Sequence, residues 1–330
     1  MLTLTDLARD ERSARMLLSL VGTPNDRATG QLLSKVGAEN LVALADDNTA
    51  IPGMDRADAA VWRERIHARY SSDQVASFLA ESEQIRFLIP SDGQWPTSLH
   101  DLGDRAPYGL WVIGNTDLLQ GDVANRVTVT GSRAATGYGT FVAEEIASDL
   151  AQDGRTVVAG GAYGIEGAAH RAALSGRGNT IAVMASGVDR PYPAGHNQLF
   201  EHIAKNGLMM SEVPPGISPT RQRFIDRSRI IAAVSGATVI VEAGARSGTM
   251  RTAQEAKGLG RVVGAVPGPV TSAASYGTNL LTQEGDARVV TSANDVVRLL
   301  EEKVPVERSG AISMPFARSA TQRPEDIPTL

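Results

Sequence analysis

Residues 126–187 read RVTVTGSRAATGYGTFVAEEIASDLAQDGRTVVAGGAYGIEGAAHRAALSGRGNTIAVMASG. Three times in this stretch a short Val- and Thr-rich run closes on Gly or Ser. The first two runs lead into segments with helical spacing, Tyr138 to Gln152 and Ile165 to Ser175. The unit continues downstream. GLMMSE, ATVIVEA, RVVGAVPG and ARVV are strand candidates, and helices are expected at Gly195 to Asn206, Arg223 to Val234, Ser247 to Leu259, Tyr276 to Glu284 and Ala293 to Glu302. Strand and helix in alternation imply parallel strands with helical crossovers, hence an α/β protein with a doubly wound, mostly parallel sheet. Continuous apolar runs fit strands covered on both faces.

Upstream, residues 1–84 read as helices: Ser13 to Val21, Thr29 to Val36, Asn40 to Ala45, a Pro52-Gly53 turn, then one long helix from Ala57 to about Ala80. Helix, IPG turn and helix resemble a helix-hairpin-helix or sterile-alpha-motif-like bundle, and the same residues fit a plain helical packing domain. IRFLIP and YGLWVIG add two strand candidates within a Pro- and Gly-rich stretch, residues 85–125. The organisation expected is a helical domain over 1–84, an α/β domain over 85–304, and a polar, disordered tail over 305–330.

The 330 residues contain no cysteine, which excludes disulfides, thiolate metal sites and a cysteine nucleophile. No run of about 18 apolar residues occurs, so no membrane span is expected. The N-terminus, MLTLTDLARDERSARM, carries acids and lacks the apolar core of a signal peptide, and the expected location is the cytoplasm. His170 reads as a hydrogen-bonded packing residue.

Ligands of open parallel sheets bind at the carboxyl ends of the strands. Those ends carry Gly131-Ser132-Arg133, Gly160-Gly161, Ser186-Gly187, Ser211-Glu212, and Glu242 followed by Gly244, Arg246, Ser247, Gly248 and Thr249. Gly lets backbone approach an anion and helix N-termini point amides at it, so the collection suggests a phosphate-bearing ligand. GxxxxGK[ST], GxGxxG and GxSxG are all absent, which argues against phosphate-loop, dinucleotide and serine-hydrolase chemistry.

The net charge of −5 seems to speak against nucleic acid, yet Pro219 to Arg261 carries +5 and the remaining chain −10. In RQRFIDRSRII, Arg223, Arg227 and Arg229 surround Phe224. An aromatic among arginines suits single-stranded nucleic acid, whose bases stack and whose phosphates pair with guanidinium. A solvated helix face with Phe224 in the core fits the same residues.

The ordered set of motifs resembles the DNA-processing protein A family (DprA, also called Smf). It comprises GSR at 131–133, GGAYGIEGAAHRAAL at 160–174, NTIAVMASGVDRPYPAGHNQL, SEVPPG, FIDRSRIIAAVSGATVIVEAGARSGTMRTAQEA, VVGAVPGPV and GTNLLTQEG. The resemblance covers about Ile85 to Leu300 well and the N-terminal helices more loosely. It implies an extended Rossmann-like fold and cooperative, non-catalytic binding of single-stranded DNA with no cofactor. It also implies protection of that DNA, loading of a RecA-type recombinase during natural transformation, and a homodimer. Carried onto this chain, the implied DNA site is Gly131, Ser132, Arg133, Gly160, Gly161, Phe224, Arg227, Arg229, Arg246, Ser247, Gly248 and Thr249. Arg133, Arg227 and Arg229 would hold phosphate and Phe224 a base.

This sequence departs from the family pattern in places. Tyr163-Gly164-Ile165-Glu166 stands where ArgGlyIleAsp is frequent, and Ile225 and Ser228 replace a Pro and an Asn. With few residues after the last helix, the winged helix that many relatives append is not expected here. The alternative reading is a nucleotide sensor or phosphoribohydrolase-like enzyme of the same superfamily, with Glu242 at a ribose. For the last helix, Val296, Val297, Leu299 and Leu300 read as core against the sheet or as a dimer face.

Overall fold

The computed structural model describes residues 3–302 except 69 and 83. The expected tail over 305–330 lies outside the described residues. Six helices come first: α1 (Leu4–Leu7), α2 (Glu11–Val21), α3 (Arg27–Val36), α4 (Ala38–Asp46), α5 (Arg56–His67) and α6 (Ser72–Ser82). They enclose a core that includes Leu17, Leu41, Trp62 and Val75. The single helix expected from Ala57 to Ala80 is in fact two, α5 and α6. The break is a local capping box: Ser71 Oγ accepts from the Gln74 amide at 3.3 Å, and Gln74 Oε1 accepts from the Ser71 amide at 2.9 Å. An Ser-x-x-Gln pattern of this kind starts a helix and so interrupts the one before it.

The sheet begins with β1 (Arg86–Leu88) and β2 (Leu110–Gly114). The alternation follows as β3 (Arg126–Thr130), α7 (Gly137–Gln152), β4 (Thr156–Ala159), α8 (Ile165–Ser175), β5 (Thr180–Val183), α9 (Asn197–Asn206) and β6 (Leu208–Ser211). After β6 come α10 (Arg221–Ala233), β7 (Ala237–Ile240), α11 (Thr249–Gly258), β8 (Val262–Ala265), α12 (Tyr276–Gln283), β9 (Arg288–Val289) and α13 (Ala293–Glu301). The nine strands lie in the order β1-β2-β6-β5-β4-β3-β7-β8-β9. Only the β1–β2 and β2–β6 pairs are antiparallel. The doubly wound, mostly parallel sheet expected from the sequence is what the chain forms.

Alternation along β3 assigns its faces. Val127 and Val129 enter a core with Ile146 of α7, Ile165 of α8 and Val296 and Leu299 of α13. The last helix therefore packs on the sheet. Thr128 faces the other way, its hydroxyl 2.8 Å from that of Ser235 and 3.4 Å from the Ile231 carbonyl beneath α10. Each fully buried Val, Leu or Ile contributes about 1.5–3 kcal/mol.

The helical layer is tied to the sheet by Arg105. Its guanidinium donates to Asn25 Oδ1 and to both oxygens of Glu255 on α11, each at 2.9 Å, and its carbonyl accepts from Arg229 Nε on α10 at 2.8 Å. Asn25 donates in turn to Asp226 at 3.0 Å.

The strand order also fixes where a ligand can enter. From β3 the chain winds outward through β4, β5 and β6, then returns to β7 on the other side of β3 and winds the opposite way. Crossovers diverge at β3 and β7, and a crevice is left outside their carboxyl ends.

His170 of α8 is fully buried, as the sequence reading expects of a packing residue, and its Nδ1 lies 2.7 Å from Thr180 Oγ1. That hydroxyl donates to the Val157 carbonyl at 2.9 Å, so Nδ1 carries the ring proton. Burial pushes the His170 pKa down to about 4, despite the opposing pull of Glu166. The unfolded chain, titrating near 6.5, then binds more protons than the folded one as pH falls. Stability from this residue is complete above about pH 6.5 and is lost between there and about 4. The melting temperature should fall as pH drops from about 6.5 to 5, above the carboxylate range, and H170Q should flatten that segment. An unchanged slope in H170Q would exclude His170 as the source.

Candidate nucleic-acid interface

A cleft of about 910 Å³ opens at the carboxyl ends of β3 and β7, where the strand order reverses. Three segments build it. On the β3 side, Gly131 has no room for a side chain. A Cβ there would stand 2.7 Å from Ile165 Cγ1 and 2.9 Å from the Glu242 carbonyl. The Ser132 amide donates to that same carbonyl at 2.8 Å, and Thr249 Oγ1 donates to the Gly131 carbonyl at 3.1 Å. These bonds hold the loop after β3 against the loop after β7.

On the β7 side, Gly244, Arg246, Ser247, Gly248 and Thr249 all line the cleft. Helix α11 starts there without a side-chain cap. The third segment is the start of α10, where Thr220 caps the helix by accepting from the Arg223 amide at 3.2 Å. Helical spacing then sets Arg221, Phe224 and Ser228 along the cleft.

Phe224 sits among cations. The Arg133 guanidinium lies 4.7 Å from its ring centroid, that of Arg227 lies at 5.3 Å, and Tyr192 meets the ring edge-on at 5.9 Å. These are cation–π distances. Arg133, Arg221 and Arg246 are exposed, and none forms an ion pair among the described residues. Arg251 shares Glu255 with Arg105.

Arg227 is nearly buried and belongs to the cleft floor. Its Nη1 donates to the Gly160 carbonyl at 2.8 Å and to that of Val183 at 3.3 Å, while Nη2 lies 3.8 Å from Glu166 Oε2. Burial lowers its pKa, and Glu166 opposes the shift. Burial likewise disfavours charge on Glu166. Even so, Arg227, the Ala162 amide and the Thr130 hydroxyl hold its pKa below the ordinary carboxylate value.

Two sets of expected site residues lie away from the cleft wall. Arg229 turns into the protein. It is fully buried, donating to Glu212 Oε1 at 2.7 Å and Oε2 at 2.6 Å, to the Asp226 carbonyl and to the Arg105 carbonyl. Gly160 and Gly161 do not line the cleft. They lie beneath it and are glycines for packing reasons, since a Cβ on Gly160 would overlap the Arg227 guanidinium and one on Gly161 the Phe200 ring. Sequence reasoning missed Arg221, Tyr192 and Arg251. Arg221 could have been found from the Thr220 cap, which marks it as the first residue of α10; Tyr192 gave no local signal of its pairing with Phe224.

Glu242, the acid of the alternative enzyme reading, is buried and accepts from the Thr136 amide at 3.0 Å and from the Thr136 hydroxyl. It serves the N-terminus of α7 and lines a separate hollow with Tyr138, Pro267 and Gly268. It is not part of the wall of the arginine cleft. No helix among the described residues is long and apolar enough to cross a membrane.

Fold and cleft together define a Rossmann-like α/β protein with a basic, aromatic-floored crevice at its topological switch point. The family model for DNA recombination-mediator protein A matches residues 86–301, and the chain belongs to that family. It is 49% identical over 226 residues to a DNA processing protein DprA of Mycobacterium tuberculosis, a match covering 65% of this chain and 57% of that one. With the DNA processing protein DprA of Streptococcus pneumoniae it shares 39% identity over 233 residues, 71% of this chain and 80% of the relative.

The X-ray structure of the pneumococcal protein superposes with a TM-score of 0.71 at 31% identity, over 90% of this chain and 98% of that one. The helical N-terminal layer is therefore largely within the shared architecture. The DNA processing protein A of Helicobacter pylori, a protein described for its single-stranded DNA binding mode, gives a TM-score of 0.59 at 28% identity over 66% of this chain and 96% of that one.

Removing one member of the Arg229–Glu212 pair strands a buried charge, which typically costs about 3–5 kcal/mol. R229M should lower unfolding free energy in urea by about that much, and the R229M/E212L double variant should recover a large part of it. Wild-type stability in R229M would show that the pair is dispensable.

Proposed function

We propose that this protein binds single-stranded DNA in the β3–β7 cleft without altering it chemically, and passes the strand to a RecA-type recombinase. The observation that carries the reading is the Phe224 ring set against Arg133 and Arg227, with Arg221 and Arg246 on the rim. A flat ring stacks any base, and guanidinium forks bind phosphate oxygens in pairs. Nothing in that chemistry reads base edges, so sequence tolerance follows. Ser132 and Ser247 offer hydroxyls to the same backbone. Family membership and the single-stranded DNA binding of the Helicobacter pylori relative support the choice of ligand. Delivery to a recombinase, protection of DNA during uptake, the homodimer and a cytoplasmic location follow from the family resemblance and form part of the same reading.

Fluorescence anisotropy with single-stranded and duplex oligonucleotides over a range of salt tests it. Single strands should bind better, with affinity falling as salt rises by about 0.7 logarithmic units per phosphate contacted. R133A/R246A should reduce that slope by roughly one to two units and weaken every sequence alike. F224A should weaken binding roughly 5- to 100-fold through lost stacking. Affinity indifferent to salt, or equal for duplex and single strands, would overturn the reading.

A further inference from the structure

Tyr163 lies between β4 and α8, just outside the residues that line the cleft. Its side chain is 48% exposed, and it belongs to none of the buried apolar clusters. The ring is nevertheless held in place. It packs edge-on against His196 at 4.7 Å. His196 is itself fixed, its Nδ1 3.0 Å from the Gly161 carbonyl, and a carbonyl can only accept, so this nitrogen donates. The phenol also rests on the bare Cα of Gly195, where a Cβ would overlap its hydroxyl. It is an aromatic side chain with fixed neighbours, half open to water and outside the core, and so a face on which a planar ligand can stack.

Its position fits the cleft. The next residue, Gly164, has φ +75° and packs against the carbonyls of Ser132 and Arg133. Tyr163 therefore adjoins the Arg133 loop from the β4 side, while the Arg133 guanidinium covers Phe224 on the other. Tyr192, 47% exposed, contacts Phe224 and shares one loop with Gly195 and His196, on which Tyr163 rests. Aromatic, cation and aromatic then follow one another outward, in the order in which base, phosphate and base alternate along a single strand.

We propose that Tyr163 is a second base-stacking platform, which carries the strand out of the cleft past Arg133 toward the carboxyl end of β4. This inference rests on the single-stranded DNA reading above and adds a subsite to it.

The test uses the full chain and homothymidine oligonucleotides of graded length. Y163L keeps an apolar side chain on His196 but removes the ring. It should lose roughly 5- to 100-fold in affinity for long oligonucleotides, the worth of one stacked base, and nothing for the shortest one that wild type binds. Y163F keeps the ring and should bind as wild type at all lengths. A second measurement needs no variant: a single abasic site moved along a long oligonucleotide should weaken binding to wild type at two separate positions, and Y163L should abolish one of them. Wild-type affinity in Y163L at every length, an equal loss at every length, or a single sensitive abasic position would overturn the subsite. Failure of wild type to bind any oligonucleotide would instead overturn the single-stranded DNA reading itself.

Discussion

Helix α10 turns part of its charged face into the protein, and the cleft depends on that burial. Its sequence, RQRFIDRSRIIAA, would ordinarily lie on a surface, yet Asp226, Arg227, Ser228 and Arg229 are all buried. Desolvating two guanidiniums is costly unless each meets an acid and further acceptors. Glu212, just past β6, and Glu166 of α8 supply the acids, and the carbonyls of Gly160, Val183, Arg105 and, within α10 itself, Asp226 supply further acceptors. These partners stand on different elements, so they are satisfied together only when α10 docks in one register. Phe224, one turn before Ser228, is thereby set on the cleft floor between Arg133 and Arg227.

The strand-and-helix alternation from Arg126 onward was legible because its strands are apolar runs, most of them rich in valine, and most of them close on Gly or Ser. Both follow from local backbone preference and two-sided burial. Helices α2 to α4 were legible from their apolar spacing, unlike the short α1 and the break before α6. There a capping box outweighed a helical apolar pattern that runs through it.

What the residues alone could not convey is which arginine meets which acid. The +5 counted over Pro219 to Arg261 includes Arg227, Arg229, Arg251 and Arg261, matched to Glu166, Glu212, Glu255 and Asp101. Three of these acids lie outside the segment or far along it, and only folding brings them near. Among the described residues, the cleft arginines without an ion pair are Arg133, Arg221 and Arg246, the first of which comes from another part of the chain. Gly160 and Gly161 illustrate the same limit: a glycine pair at a strand end reads as an anion cradle, whereas here side chains from behind occupy the space a Cβ would need.

Arg105 has a thermodynamic meaning beyond its bonds. One guanidinium serves Asn25 in the helical layer and Glu255 on α11, while the carbonyl of the same residue completes the set around Arg229. Glu255 in turn steadies Arg251 at the cleft rim. Separating the two layers would orphan several of these groups at once, so neither layer can loosen without taxing the other. The helical layer is thus not a bead on a tether. It meets the sheet through a hydrogen-bonded seam of Asn25, Arg105, Asp226 and Glu255.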